Sequence, residues 1–117
     1  MNKDILIVGC GVAGPVLATW LLKSSPEYNI TIVERGSSTQ SYGQNIDIRS
    51  AGATIIRKLG LDTAVRAHLT GEEGARFVDK NDRVVAEFPA DKTGRVQTGT
   101  SDLEILRGRL VNLCYAR

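Results

Sequence analysis

Six residues near the start of the chain, Gly9-Cys10-Gly11-Val12-Ala13-Gly14, place three glycines in a G-x-G-x-x-G spacing directly after the apolar run Ile5-Leu6-Ile7-Val8. Each glycine in that order has a separate physical use. The first permits a tight turn out of a strand, the second leaves room for a pyrophosphate against the backbone, and the third lets a helix press on the sheet. N–H groups at the helix start then face the phosphate charge. Glu34 stands 20 residues after Gly14, directly behind Ile30-Thr31-Ile32-Val33. A carboxylate there accepts hydrogen bonds from both adenosine ribose hydroxyls and repels a 2′-phosphate, which disfavours NADP at this turn. The glycine spacing alone is a weak signal. Strand, turn, helix and acid together point to the ADP portion of a dinucleotide, against the bland alternative of an ordinary turn and a surface acid.

The elements that must position these residues follow from periodicity. Ile5 to Val8 is expected to be a central strand, buried on both faces of a parallel sheet. A helix follows, with Val12, Val16 and Trp20 at i, i+4, i+8 and Leu17 and Leu21 beside them. Trp20 is read as core and not as a stacking platform. Pro15 fits only in the first turn of this helix, and Ser24-Ser25-Pro26 ends it. Ile30 to Val33 is a second strand, which completes a βαβ unit. Gly36 to Asn45 is loop, and Ile46 and Ile48 mark a brief extended piece. A helix is expected from Ala51 to Leu59, stopped by Gly60 in the left-handed region with Leu61 packing back on Ile56. Asp62 caps a short helix through His68. Phe77-Val78 and Arg83 to Phe88, separated by Asp79-Lys80-Asn81-Asp82, form a β-hairpin. Leu103 to Leu106 is extended, and Leu110, Leu113 and Cys114 have helical spacing. The fold class is α/β, a Rossmann-like βαβ unit plus a β-hairpin.

The 117 residues suit one domain or a piece of one, and the net charge of +2 gives no reason to expect nucleic acid as a partner. Cys10 and Cys114 lie far apart, match no metal-ligand spacing and are read as reduced thiols. Ile5 to Leu22 runs 18 residues without a charge, the length of a candidate membrane span. Gly9, Gly11, Gly14 and Pro15 interrupt it, and Lys3 is followed at once by Asp4 where a signal peptide has a basic start. No membrane span is expected, and the expected location is cytoplasmic.

Spacing does not separate FAD from NAD, because both present ADP-ribose. Four runs, taken in order, do more: Ile5 to Pro15, Val33-Glu34-Arg35, Gly43-Gln44-Asn45-Ile46-Asp47-Ile48-Arg49, and Glu104-Ile105-Leu106-Arg107-Gly108-Arg109-Leu110. Together they resemble the amino-terminal part of FAD-dependent aromatic monooxygenases of the p-hydroxybenzoate hydroxylase type. The resemblance implies FAD on Gly9, Gly11, Val12, Ala13 and Gly14. It further implies that Glu34 holds the adenosine ribose, Arg35 lies along the adenine, Asp47 sits near the flavin and Arg107 reaches the phosphate or ribityl region. Arg107 also opens a helix, where a cation meets the unfavourable end of the dipole unless a phosphate is near. The implied activity is hydroxylation of a small organic, aromatic substrate with O₂, with NADPH or NADH as reductant bound elsewhere than the Gly9 turn.

The resemblance has gaps. Arg109 stands where the family's Arg-Gly-Asp-Leu run has its acid. The family's later Gly-Asp motif has no counterpart, so the expectation is the amino-terminal portion of an FAD-binding domain without its substrate domain, inactive alone. No residue is read as catalytic. His68 is read as a solvated surface residue. An NAD-dependent oxidoreductase and a truncated, non-catalytic nucleotide-binding protein remain the alternatives.

Overall fold

The computed structural model describes residues 2–36, 43–93, 95–96, 99 and 101–116. Part of the loop expected between Gly36 and Asn45, residues 37–42, lies outside them. β1 (Lys3–Val8) and β2 (Tyr28–Val33) are parallel neighbours, in register from Lys3 opposite Tyr28 to Val8 opposite Val33. Parallel pairing needs a crossover, and α1 (Ala13–Ser24) supplies it. Pro15 is the third residue of α1, where its missing N–H costs no helical bond. At Ser25 the backbone turns extended and the helix stops.

β3 (Asn45–Asp47) lies antiparallel to β6 (Glu104–Leu106), which joins the middle of the chain to its last helix, α4 (Arg107–Tyr115). α2 (Ser50–Lys58) ends at Gly60, whose φ of 72° is the left-handed stop expected there. Leu61 then donates its N–H to Ile56 O at 3.0 Å and buries its side chain in the same core cluster as Ile56. β4 (Gly74–Val78) and β5 (Val84–Pro89) form the hairpin. Asp79 Oδ1 organises its turn by accepting N–H bonds from Asn81 at 2.7 Å and Arg83 at 3.0 Å.

The core sits where α2, α3 (Asp62–Arg66), β6 and α4 meet. Ile48, Ile56, Leu59, Leu61, Val65, Leu103, Ile105, Leu110 and Cys114 form one buried cluster, and Val12 and Val16 of the α1 region pack against its edge. α1 is tied to α4 by Thr19 Oγ1, which donates to Cys114 O at 3.3 Å.

Three expectations need correction. β1 is not buried on both faces, because α1 packs on one side only and no described strand pairs with its other edge; Leu6 is 64% and Val8 80% exposed. Trp20 is 37% exposed, because α1 turns Gly14, Pro15 and Ala18 inward instead. Asp62 does not cap α3 but is its first residue; its Oδ2 accepts from Arg66 Nε at 3.0 Å, one turn on, and the helix ends at Arg66. Both cysteines are free thiols, Cys114 buried and Cys10 half-buried. Among the described residues no helix is long and apolar enough to cross a membrane.

Candidate functional site

The turn between β1 and α1 is shaped by two glycines and left open at a third. Gly9 has a φ of +107°, a conformation in which a side chain is strained, and its N–H is latched to Val33 O at 2.7 Å. A Cβ on Gly14 would lie 2.2 Å from Gly9 O and 3.3 Å from Ile7 Cγ2, so bare backbone is what lets α1 approach the strand. Gly11 differs. Among the described residues a Cβ there would meet only Arg107 Nη2, at an ordinary 3.6 Å. None of the described residues occupies the place of a side chain at this position.

Glu34, just past β2, reaches back to this turn. Its Oε2 accepts the Cys10 N–H at 2.7 Å and its Oε1 accepts the Gly36 N–H at 2.8 Å. The Cys10 N–H first and the Gly36 N–H second hold the carboxyl below its ordinary pKa, with the adjacent Arg35 charge adding to the effect. Each oxygen keeps a further lone pair for a hydroxyl donor. The carboxylate is therefore ionised, oriented and exposed at the mouth of the turn. Its grip on the Cys10 N–H was not foreseen from spacing.

Arg107 comes to the same place from the far end of the sequence. The β3–β6 pairing sets Leu106 opposite Asn45, and the Arg107 N–H donates to Gln44 O at 3.1 Å. Its side chain passes Gly43, where a Cβ would sit 3.5 Å from Arg107 Cβ, and ends beside Gly11. Helix α1 starts two residues after Gly11 with no capping side chain and no acid in its first turn, and the Arg107 guanidinium lies beside Gly11. This set of donors suits a pyrophosphate, and the backbone over Gly11 admits one.

The structure thus brings together Gly9, Gly11, Val12, Ala13, Gly14, Glu34 and Arg107. Arg35 is exposed beside them. Asp47 stands apart, two positions along β3 from Asn45. Its Oδ2 pairs with Arg49 Nη2 at 2.8 Å, and its Oδ1 accepts the Ser101 N–H at 3.4 Å. His68 is half-buried and not merely solvated, with Nδ1 2.8 Å from Ala64 O. Sequence reasoning missed Glu104, a buried carboxylate on β6 that accepts from Asn45 Nδ2 at 3.0 Å and from the Thr70 hydroxyl. Its lone charge within Leu103-Glu104-Ile105-Leu106 was the available signal. The neighbouring Glu104 carboxyl raises the Glu72 pKa.

No family model matches the chain. It is 41% identical over 114 residues to the FAD-dependent monooxygenase asL4 of Sarocladium schorii, covering 96% of this chain and 26% of the relative. It is 34% identical over 112 residues to a flavin-dependent monooxygenase of Legionella longbeachae, covering 96% of this chain and 28% of that protein. Among solved structures, tetracycline destructase Tet(55) superposes with a TM-score of 0.76 at 29% identity over 98% of this chain and 27% of its own. Tet(51) does so with a TM-score of 0.73 at 27% identity, over 99% of this chain and 28% of its own. The chain spans about a quarter of the length of these relatives.

Proposed function

This chain is a homologue, over nearly its whole length, of a segment of FAD-dependent monooxygenases, and we propose that it is the FAD-binding, Rossmann-like portion of such an enzyme. One observation carries the reading. Arg107 reaches Gly11, where none of the described residues occupies the place of a side chain, while Glu34 holds the neighbouring Cys10 N–H. Gly9, Gly11, Val12, Ala13 and Gly14 would seat the pyrophosphate, with the start of α1 and Arg107 supplying donors. Glu34 would accept from the ribose hydroxyls while its backbone bonds keep it ionised and aimed. Arg35 would lie along the adenine, and Asp47 would mark the flavin end.

Bound FAD would supply the redox chemistry, activating O₂ for transfer of one oxygen to a small organic, aromatic substrate. NADPH or NADH would reduce it from a site other than the Gly11 turn, since Glu34 repels a 2′-phosphate there. The protein is proposed to be cytoplasmic, and the 117 residues alone to bind without hydroxylating.

The test is titration with FAD, followed by the flavin spectrum, of the parent and of Gly11→Val. A branched side chain fills the pyrophosphate space and, among the described residues, meets only the end of the Arg107 side chain, so the variant is expected to stay folded and lose FAD. Affinity within about twofold of the parent would show that the cofactor lies elsewhere. Binding of NAD with no uptake of flavin would favour an NAD-dependent oxidoreductase instead.

A further inference from the structure

Among the described residues Glu104 is the only buried charged or polar residue, and no Lys, Arg or His forms an ion pair with it. A carboxylate taken out of water is costly unless hydrogen bonds replace the lost solvent. Here the donors come from two other segments. Oε1 accepts from Asn45 Nδ2 of β3 at 3.0 Å and from the Thr70 hydroxyl. The Thr70 N–H also donates to Glu104 O at 3.0 Å, and the next residue, Ile105, stands opposite Ile46 on one side and Leu69 on the other. β6 is thus gripped along both edges, with Glu104 as the polar tie to each.

The ladder that delivers Arg107 is short enough to need such a tie. β3 and β6 share three register pairs, Asn45 with Leu106, Ile46 with Ile105 and Asp47 with Glu104. A slip of one residue would turn the fully buried Ile105 out of the core, and apolar burial resists it. A slip of two residues keeps every side chain on its own face. It would set Leu103 in the place of Ile105, apolar for apolar, and carry Arg107 roughly 7 Å along the strand, away from Gly11. Apolar burial alone does not separate these two registers. The hydrogen bonds of Glu104 do, because the slip would put the shorter Asp102 in its place and strip a buried carboxylate of its donors. Fixing register is a use for which a buried polar group is well suited.

We propose that Glu104 is a positioning residue for the cofactor site: its grip on Asn45 and Thr70 sets the β3–β6 register, and that register holds the Arg107 guanidinium beside Gly11. The path is short. Arg107 lies three residues beyond Glu104 and donates its N–H at 3.1 Å to Gln44 O, next in sequence to the Asn45 that Glu104 holds. The inference rests on the FAD reading above and adds to it a residue that itself touches no cofactor.

The experiment reads two quantities on the whole chain: FAD affinity by flavin fluorescence and, without ligand, the NMR signal of the Gly11 N–H. The set is the parent, Glu104→Ala, Glu104→Gln, Arg107→Gln and the double variant Glu104→Ala with Arg107→Gln, each checked for folding by circular dichroism. Glu104→Ala should weaken FAD about tenfold, while Glu104→Gln, which keeps an acceptor oxygen, should stay within about threefold of the parent. In the Arg107→Gln background Glu104→Ala should cost less than about twofold more, because the group it positions is gone. Without ligand, Glu104→Ala and Arg107→Gln should move the Gly11 signal alike. If Glu104→Ala does not fold, Asn45→Ala and Thr70→Val, at exposed positions, replace it and should each cost about threefold, again only while Arg107 is present. An unchanged FAD affinity and Gly11 signal in these variants, or an equal loss in the Arg107→Gln background, overturns the proposal. A parent that takes up no FAD overturns the cofactor reading instead, and the Gly11 signal then decides this inference by itself.

Discussion

The half of the chain that carries the glycine turn and the half that carries the core are built to different rules. In the β1–α1–β2 unit the strands are covered on one face, and Leu6 and Val8 stand 64% and 80% exposed. Its geometry is held by backbone: a latched Gly9, a Gly14 that admits no side chain and a carboxylate that gathers N–H groups. In the α2–α3–β6–α4 half, Ile105 and Val65 are fully buried and stability comes from packed side chains. A binding turn gains from fixed, open backbone, and a core gains from filled volume. The two halves should therefore fail in different ways when single residues are changed.

Ile105→Ala attacks the packed half where it is densest. Removing a fully buried, branched side chain among Leu61, Val65 and Leu110 should cost about 2 to 5 kcal/mol, read as a drop in the urea midpoint. A midpoint shift no larger than that of a surface change would break the distinction. Gly14→Ala attacks the backbone-built half. One methyl must displace Gly9 O, 2.2 Å from its place, and should cost about 1 to 3 kcal/mol and weaken FAD together with stability. If stability fell while FAD binding held, the turn would be more plastic than this geometry implies.

Glu34→Ala sharpens the comparison because it acts on ligand more than on fold. ADP-containing ligands should weaken by about 1.5 to 3 kcal/mol, and an analogue lacking the ribose hydroxyls should be less affected. Equal losses would mean that Glu34 only shapes the turn. The same carboxyl gives a pH signature. Its folded pKa lies below the unfolded value, so its stabilising contribution is present above the ordinary carboxylate range and is lost as pH falls through the lowered value. Thermal melts of parent and variant should converge at acid pH; a constant gap between them would contradict the assignment. Leu6→Thr, on the exposed face of β1, should move stability by no more than about 0.5 kcal/mol. A loss of core size there would show that something covers that face.

Much of this was legible in the sequence because it was local. The βαβ order, the left-handed Gly60, the Asp79 hairpin turn and the α4 stripe all follow from short-range rules that no distant contact overrode. Arg107 was marked by its place at a helix start, where a cation is out of keeping with the dipole. What was not legible depended on which faces meet. Trp20 had helical spacing for burial, but Gly14, Pro15 and Ala18 give α1 a smoother face to pack. The grip of Glu34 on Cys10 needs the angle at which β2 ends, and the Asn45 and Thr70 partners of Glu104 come from two separate segments.

The meeting of Arg107 with Gly11 also has a consequence in time. A chain emerging from the ribosome carries the glycine turn, Glu34 and the crossover helix long before Arg107 exists. The Thr19 to Cys114 bond, which ties α1 to α4 across 95 residues, is equally late. Closing so wide a span is slow relative to local helix and hairpin formation. On the proposed function, nascent chains halted after the hairpin should therefore ignore FAD, and the cofactor would act as a final seal and not as a template for folding.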